Sequence, residues 1–425
     1  MSKPLAVVSC PLDTYSGYGA RARDFVKALI ALDKYEVKTL SQRWGNTRFG
    51  YLEDHNETTL ISTIVPKIDR KPDLWIQVTV PNEFQSVGKY NIGLTAGMET
   101  TIVHHGWIEG CNKMDLILTS SEHSKKVFLE SRFDLKNNNT QQIERTIKLD
   151  KPIEVLIEGA DLTKYFANST TEFDLSSIKE SFNFLFVGHW MQGDIGHDRK
   201  NVGYMVKAFL ETFKNKPNPP ALILKTQQVG SSILDKDRIK KKIDSIRKTV
   251  KGKIPNIYLI TGDLTDTQIN DLYNNPKVKA MISFTKGEGF GRPLLEFSLT
   301  GKPIIASGWS GQVDFLDPVR SILIGGTLEN VHKSAAVKDM ILEQAQWFKP
   351  DDAQVGKAFT ELVKKYKQYV VPAKQLKNIN KEKFSFEKMT SDLNSIVEKF
   401  VPKFAVQVEL NLPKLELPKL QKANG

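Results

Sequence analysis

Two carboxylates, Glu288 and Glu296, stand eight residues apart on either side of a glycine-rich turn, Gly287-Glu288-Gly289-Phe290-Gly291-Arg292-Pro293-Leu294-Leu295-Glu296. An apolar run precedes the turn, and Pro293 falls where the first turn of a helix is expected. Glycines between a strand and a helix let the backbone come close to a ligand and leave N–H groups free for an anion such as a diphosphate. Carboxylates on both sides of such a turn suit the hydroxyls of a sugar and of a ribose. The next strand, Pro303–Ala306, leads into Gly308-Trp309-Ser310-Gly311, a second loop at the same sheet edge.

A second glycine-bearing segment follows the first strand, Ser16-Gly17-Tyr18-Gly19-Ala20-Arg21-Ala22-Arg23, ahead of a helix expected over Asp24–Leu32. As a dinucleotide fingerprint it fails, because Ala22 takes the third glycine position and no acidic residue ends the second strand. No Gly-Lys-Ser/Thr follows it either, so it is not a Walker loop. A nicotinamide-dependent dehydrogenase is thereby disfavoured.

The elements that must hold these residues are short Val/Ile/Leu/Phe runs alternating with helix-length stretches. The runs are Leu5–Ser9, Glu36–Leu40, Leu74–Val80, Tyr90–Thr95, Leu116–Thr119, Ile153–Ile157, Phe182–Val187, Ala221–Lys225, Ile257–Thr261, Ala280–Phe284 and Pro303–Ala306. Near-continuous apolar runs of this length mark parallel strands covered on both faces. So many fit two doubly wound α/β domains better than one. A polar break at 166–180 separates them, and the Asn-rich stretch within 135–151 reads as a surface loop.

Glu-Gly-Phe-Gly-Arg-Pro-Leu-Leu-Glu followed by Gly-Lys-Pro-Ile-Ile-Ala-Ser resembles the Glu-x7-Glu motif of retaining GT-B glycosyltransferases, glycosyltransferase family 4 in particular. The resemblance spans about residues 4–400. It implies the GT-B fold, two Rossmann-like doubly wound domains facing a cleft: an acceptor-side domain over 1–170, a nucleotide-sugar-binding domain over 181–385, and a helix crossing back over 386–400. The remainder, 401–425, is expected to be an extended Pro/Lys/Leu tail.

Family roles carry over onto matching positions. The resemblance places Glu288 on the transferred sugar and Glu296 on the ribose, with Gly289, Phe290 and Gly291 in the donor turn. Arg199 and Lys225 would neutralise the departing diphosphate, although Lys200 competes with Arg199 and Lys225 could be surface charge. Gly17 and Gly19 would bring the first loop to the phosphates or acceptor, and Gly262 would lie near the base. Many family members carry a histidine after the fourth strand; here Glu99 occupies that region, with His105 the weaker candidate. The resemblance further implies retention without a protein nucleophile and metal independence. No cofactor is called for beyond the co-substrate, a nucleoside-diphosphate sugar, UDP-sugar ahead of GDP-sugar.

The 425 residues include 60 basic and 49 acidic ones, a formal balance of +11, and 40% are hydrophobic. That composition is globular and excludes a disordered or fibrous chain, and no run of about 18 apolar residues could span a membrane. Two cysteines, Cys10 and Cys111, make no disulfide framework and are expected as reduced thiols in a cytoplasm, a host's if the gene is phage-borne. Much of the excess charge falls in 235–253 and 357–388, each with nine basic and three acidic residues. The charge tilts the acceptor towards DNA, for example a hydroxymethylated base as in phage DNA-modifying enzymes. A polysaccharide, lipid-linked glycan or protein acceptor is the alternative, and a non-catalytic nucleotide-sugar or nucleic-acid binding module the reading of another class. Sugar identity and oligomeric state are not legible.

Overall fold

A computed structural model describes residues 3–137, 139–227 and 233–404. The first sheet contains β1 (Leu5–Cys10), β2 (Glu36–Ser41), β3 (Leu74–Val78), β4 (Tyr90–Leu94) and β5 (Leu116–Thr119). A peripheral hairpin, β6 (Phe133–Lys136) and β7 (Ile143–Ile147), precedes its last strand, β8 (Ile153–Val155). Around the sheet lie α1 (Gly17–Ala31), the short α2 (Tyr51–Asp54) and α3 (Thr58–Ile61), α4 (His105–Cys111) and α5 (Glu122–Glu130). The strand order is β2-β1-β3-β4-β5-β8, all parallel.

The second sheet is built from β9 (Asn183–Val187), β10 (Ala221–Lys225), β11 (Ile257–Ile260), β12 (Val278–Ser283), β13 (Ile304–Ser307) and β14 (Ile322–Ile324). Its helices are α6 (Val202–Phe213), α7 (Ile233–Thr249), α8 (Asp266–Asn274), α9 (Arg292–Ser298) and α10 (Asp352–Lys383), and an antiparallel hairpin pairs β15 (Gly326–Asn330) with β16 (Gln346–Pro350). The order is β11-β10-β9-β12-β13-β14, again all parallel. The chain leaves β9 towards one side of the sheet and β12 towards the other, so the loops after these two strands flank a topological switch point.

These runs become strands because both faces are covered. Leu222, Leu224 and Phe186 pack under α6, α7 and α10, while Ile223, Leu185 and Met281 pack under α8 and α9. Expected and observed strands agree within a few residues. The Asn-rich stretch expected as a surface loop connects β6 to β7, two short strands that were not expected and whose side chains are mostly exposed. The first helix begins at Gly17, not Asp24: Ser16 caps it, accepting the Gly19 N–H at 2.8 Å. Both glycines therefore lie in its first turn.

The last helix, α11 (Phe386–Phe400), returns to the first domain and buries Met389, Leu393 and Val397 among Phe25, Val26 and Leu29. Each such side chain contributes about 1.5–3 kcal/mol. The two passages between domains are tied together: Ala160 N–H donates to Phe384 O at 2.8 Å, and Phe386 N–H donates to Ala160 O at 2.9 Å. A Cβ on Gly159 would lie 2.4 Å from Ser385 O, so glycine permits this approach. The tail beyond residue 404 falls outside the described residues.

Candidate active site

The loops after β9 and β12 meet at the switch point of the second sheet, which is where open parallel sheets bind ligands. Hydrogen bonds stitch them: Lys286 N–H donates to Arg199 O at 2.8 Å, and the Asn201 side-chain Nδ2 donates to Phe284 O at 3.0 Å. Asn201 adopts the left-handed region, φ 55°, before α6 begins. Just ahead of it, two sequence neighbours, Arg199 and Lys200, both reach one carboxylate.

That carboxylate is Glu288. Lys200 Nζ contacts its oxygens at 2.6 and 2.7 Å, and Arg199 Nη1 lies 3.4 Å from Oε2. Burial alone would raise the Glu288 carboxyl, but Lys200 and Arg199 outweigh it and hold it below the usual carboxylate range. Its N–H donates to Ser310 Oγ at 2.9 Å, fixing the turn against the loop after β13. For Arg199, desolvation is overcome by Glu99 and Glu288, so the guanidinium stays charged. The Lys200 ammonium is pulled below its ordinary value by desolvation and by Arg199, with Glu288 opposing.

Across the cleft, the loop after β4 supplies Glu99, whose Oε1 lies 3.3 Å from Arg199 Nη1. The two domains touch here with no room for side chains. A Cβ on Gly287 would sit 1.8 Å from Glu99 O, and one on Gly289 would sit 2.1 Å from Ala96 O. Ser120 Oγ closes the contact, donating to Ala96 O at 2.6 Å and to Gly289 O at 3.1 Å. The turn's glycines thus allow the second domain's backbone to lie on the first domain's.

Beside this cluster, Lys225 ends β10 and donates to Gly262 O at 2.8 Å. Burial lowers its pKa and Asp263 opposes the shift. His189, two residues past β9, is neighboured by Lys200, Lys225 and Arg199, and both desolvation and these cations disfavour its protonation. Glu296 is buried on α9 and lines a cavity of about 260 Å³ between the domains. Arg292 Nε donates to it at 2.9 Å and Tyr273 OH at 3.4 Å. Burial raises the Glu296 pKa to about 7 even though Arg292 pulls it down.

The structure therefore brings Glu99, Arg199 and Glu288 together, with Lys225 and Gly262 bonded to each other. Gly289 and Gly291 shape the turn, Gly291 with φ 102° as the residue before α9. Three expectations change. Gly19 is a packing glycine, since a Cβ there would lie 2.3 Å from Thr14 O, whereas Gly17 faces open space. Phe290 turns its ring into the core against Phe315 and Phe384, centroids 5.1 and 6.5 Å away, so it offers no side chain to a donor. His105 stands on an exposed helix surface, its Nδ1 3.5 Å from Glu109 Oε2 and its ring against Phe133.

Lys200 has a larger share in the site than its sequence position suggested, holding both oxygens of Glu288. The Asp24 partner of Arg292, from the first domain, left no sequence signal at all. Asp115, accepting from Asn91 N–H and Nδ2 at 2.8 and 2.9 Å, and Ser121, capping α5, are structural. Among the described residues no cluster of three His, Cys, Asp or Glu side chains is arranged to hold a metal ion. Within them, no helix is long and apolar enough to cross a membrane.

Two parallel-sheet Rossmann-like domains, facing each other across a cleft and joined by a returning helix, define the GT-B fold. No protein-family model matches the sequence, and no curated sequence is similar to it; the likeness lies in the fold. Anabaena HepE, solved in complex with UDP and glucose, superposes with TM-score 0.59 at 11% identity, over 93% of this chain and 100% of that one. Sucrose-phosphate synthase from Thermosynechococcus elongatus gives 0.60 at 11% identity over 93% and 98% of the two chains. A glycosyltransferase from Rickettsia africae gives 0.59 at 14% over 94% and 99%.

Proposed function

We propose that this chain moves a sugar from a nucleoside-diphosphate sugar, UDP-sugar before GDP-sugar, to a hydroxyl acceptor with retention of configuration. The observation that carries the reading is the Glu288 carboxylate, fixed by Lys200 and Arg199 at the sheet's switch point and facing Glu99 across the cleft. A non-catalytic module has no need to keep a buried carboxylate between two half-buried cations and opposite a second carboxylate, because taking charge out of water is costly. The structures of similar fold support it further, HepE having been seen with UDP and glucose.

In this reading the bond between the sugar's anomeric carbon and the phosphate oxygen breaks while the acceptor oxygen bonds to the same face. The acceptor proton passes to the departing phosphate oxygen, so no protein nucleophile is needed. Negative charge grows on the diphosphate, and Arg199, Lys200 and Lys225 are cations held in position before it develops. Glu288 accepts hydrogen bonds from sugar hydroxyls, Glu296 from the ribose, and Glu99 orients the reacting sugar from the first domain.

For the acceptor, a hydroxymethylated base in DNA is the reading that the charge favours. The +11 balance and the exposed Lys236, Lys240, Lys241 and Lys248 of α7, with Lys364, Lys365, Lys367 and Lys374 of α10, support it. The test offers a panel of UDP- and GDP-sugars with hydroxymethylated duplex, and separately with glycan, lipid-linked and protein acceptors. Release of nucleoside diphosphate with glycosylated DNA is expected. Transfer only to another acceptor overturns the DNA part, and nucleotide binding with no transfer to any acceptor overturns the enzyme reading.

A further inference from the structure

Arg292 makes a contact that the proposed chemistry does not use. Its Nε holds Glu296 Oε1 at 2.9 Å within α9, while its Nη1 pairs with Asp24 Oδ2 of α1, in the other domain. The guanidinium is thus shared between the carboxylate assigned to the ribose and an aspartate of the other domain. Tyr273 OH holds the second Glu296 oxygen at 3.4 Å, so Arg292 is the only one of the two holders whose position is also tied to the first domain.

The surroundings make the arrangement sensitive to closure. Asp24, Arg292 and Glu296 all line the interdomain cavity, with Tyr15 and Tyr51 from the first domain and Asp266 from the second. Glu296 is buried and desolvated, so its ionised form relies on the arginine beside it, and Asp24 and Glu296 together keep the Arg292 guanidinium charged against its own desolvation. Were the domains to part, Arg292 would lose Asp24 and could leave Glu296 for solvent. When they are together, a charge on each side fixes it.

We propose that Asp24 and Arg292 form a cross-domain clamp that orients Glu296 for a nucleoside's hydroxyl groups only in the closed protein, so that nucleotide binding and domain closure strengthen each other. The clamp rests on the reading that Glu296 meets the ribose. Arg292 and Asp24 are positioning residues, and linkage requires the coupling to run both ways.

The test is a double-mutant cycle on the full chain, with UDP affinity by calorimetry and interdomain distance by paired spin labels on α5 and α7. Asp24→Asn is expected to weaken UDP about tenfold and to lengthen the distance distribution both without and with nucleotide. In an Arg292→Gln background the same substitution is expected to change neither quantity, because the link is already cut. Equal effects of Asp24→Asn in both backgrounds, or none in either, overturn the clamp. If the wild-type chain binds no UDP or GDP, the donor reading fails, and the distance arm alone decides the clamp: unchanged distances in Asp24→Asn overturn it. Should Asp24→Asn fold poorly, Asp24→Glu, which keeps the charge and lengthens the arm, is expected to retain closure and most of the affinity.

Discussion

The molecule contains two strand–glycine–helix turns that look alike in sequence and do different work. After β1, Ser16-Gly17-Tyr18-Gly19 starts a helix, and its buried glycine, Gly19, makes room for Thr14 of its own domain. After β12, Gly287-Glu288-Gly289-Phe290-Gly291 also leads into a helix, but Gly287 and Gly289 make room for Glu99 and Ala96 of the other domain. Glycine in the first turn serves local packing. In the second it serves domain contact, and it keeps an ionised carboxylate between cations at that contact. A Gly-x-Gly after a strand thus acquires meaning from what faces it and from the charged residue it carries.

Substitutions should separate the two turns cleanly. The largest effect is expected from Glu288→Ala, which removes the carboxylate that Lys200 and Arg199 hold: transfer should fall by at least about 10³-fold, with circular dichroism unchanged. Near-normal turnover would sink the assignment. Gly287→Ala places a Cβ against Glu99 O and forces the domains apart, so turnover should fall roughly 10²-fold, as small misplacements at reacting groups do. Gly19→Ala, by contrast, should lower unfolding free energy by about 1–3 kcal/mol through overpacking, with activity per folded molecule retained. Denaturant titration and kinetics on the same samples distinguish these outcomes.

A pH series sharpens the comparison within the second domain. Glu288 is held ionised, whereas Glu296 titrates near 7. A ribose hydroxyl donates to the carboxylate form, so nucleotide affinity should rise with pH through about 7 and level off above it. Because the folded pKa of Glu296 lies above its ordinary value of 4.5, the free protein should lose stability from this group as pH rises from 4.5 towards 7. Glu296→Gln should flatten both dependences. The smallest effect on stability belongs to Gly17→Ala: with nothing near its Cβ, stability should rise by about 0.4 to 1 kcal/mol in denaturant titration.

The strands were legible because a parallel sheet buried on both faces writes continuous apolar runs, as in Leu116–Thr119 and Ala221–Lys225. The amphipathic helix over 235–253 was legible for a related reason: Ile239, Ile243, Ile246 and Val250 face the core while lysines face out. The β6–β7 hairpin was hidden because its strands are short and their side chains mostly face solvent. The three-residue β14 is too short to register a pattern.

In the site, Glu288 stood out from residue type and spacing, whereas Arg199 and Glu99 were singled out only through the family resemblance. Lys200 was undervalued because adjacent residues usually point apart, yet here both side chains reach Glu288. The Arg292–Asp24 pair joins residues 268 positions apart, a contact that no local pattern encodes.

The most direct test of the central claim, that the switch point of the second sheet is the donor site, is a crystal structure with UDP bound. The diphosphate is expected within hydrogen-bonding reach of Arg199, Lys200 or Lys225, with the ribose hydroxyls on Glu296. A nucleotide bound elsewhere, leaving Glu296 and the Arg199–Lys200 pair untouched, would contradict it.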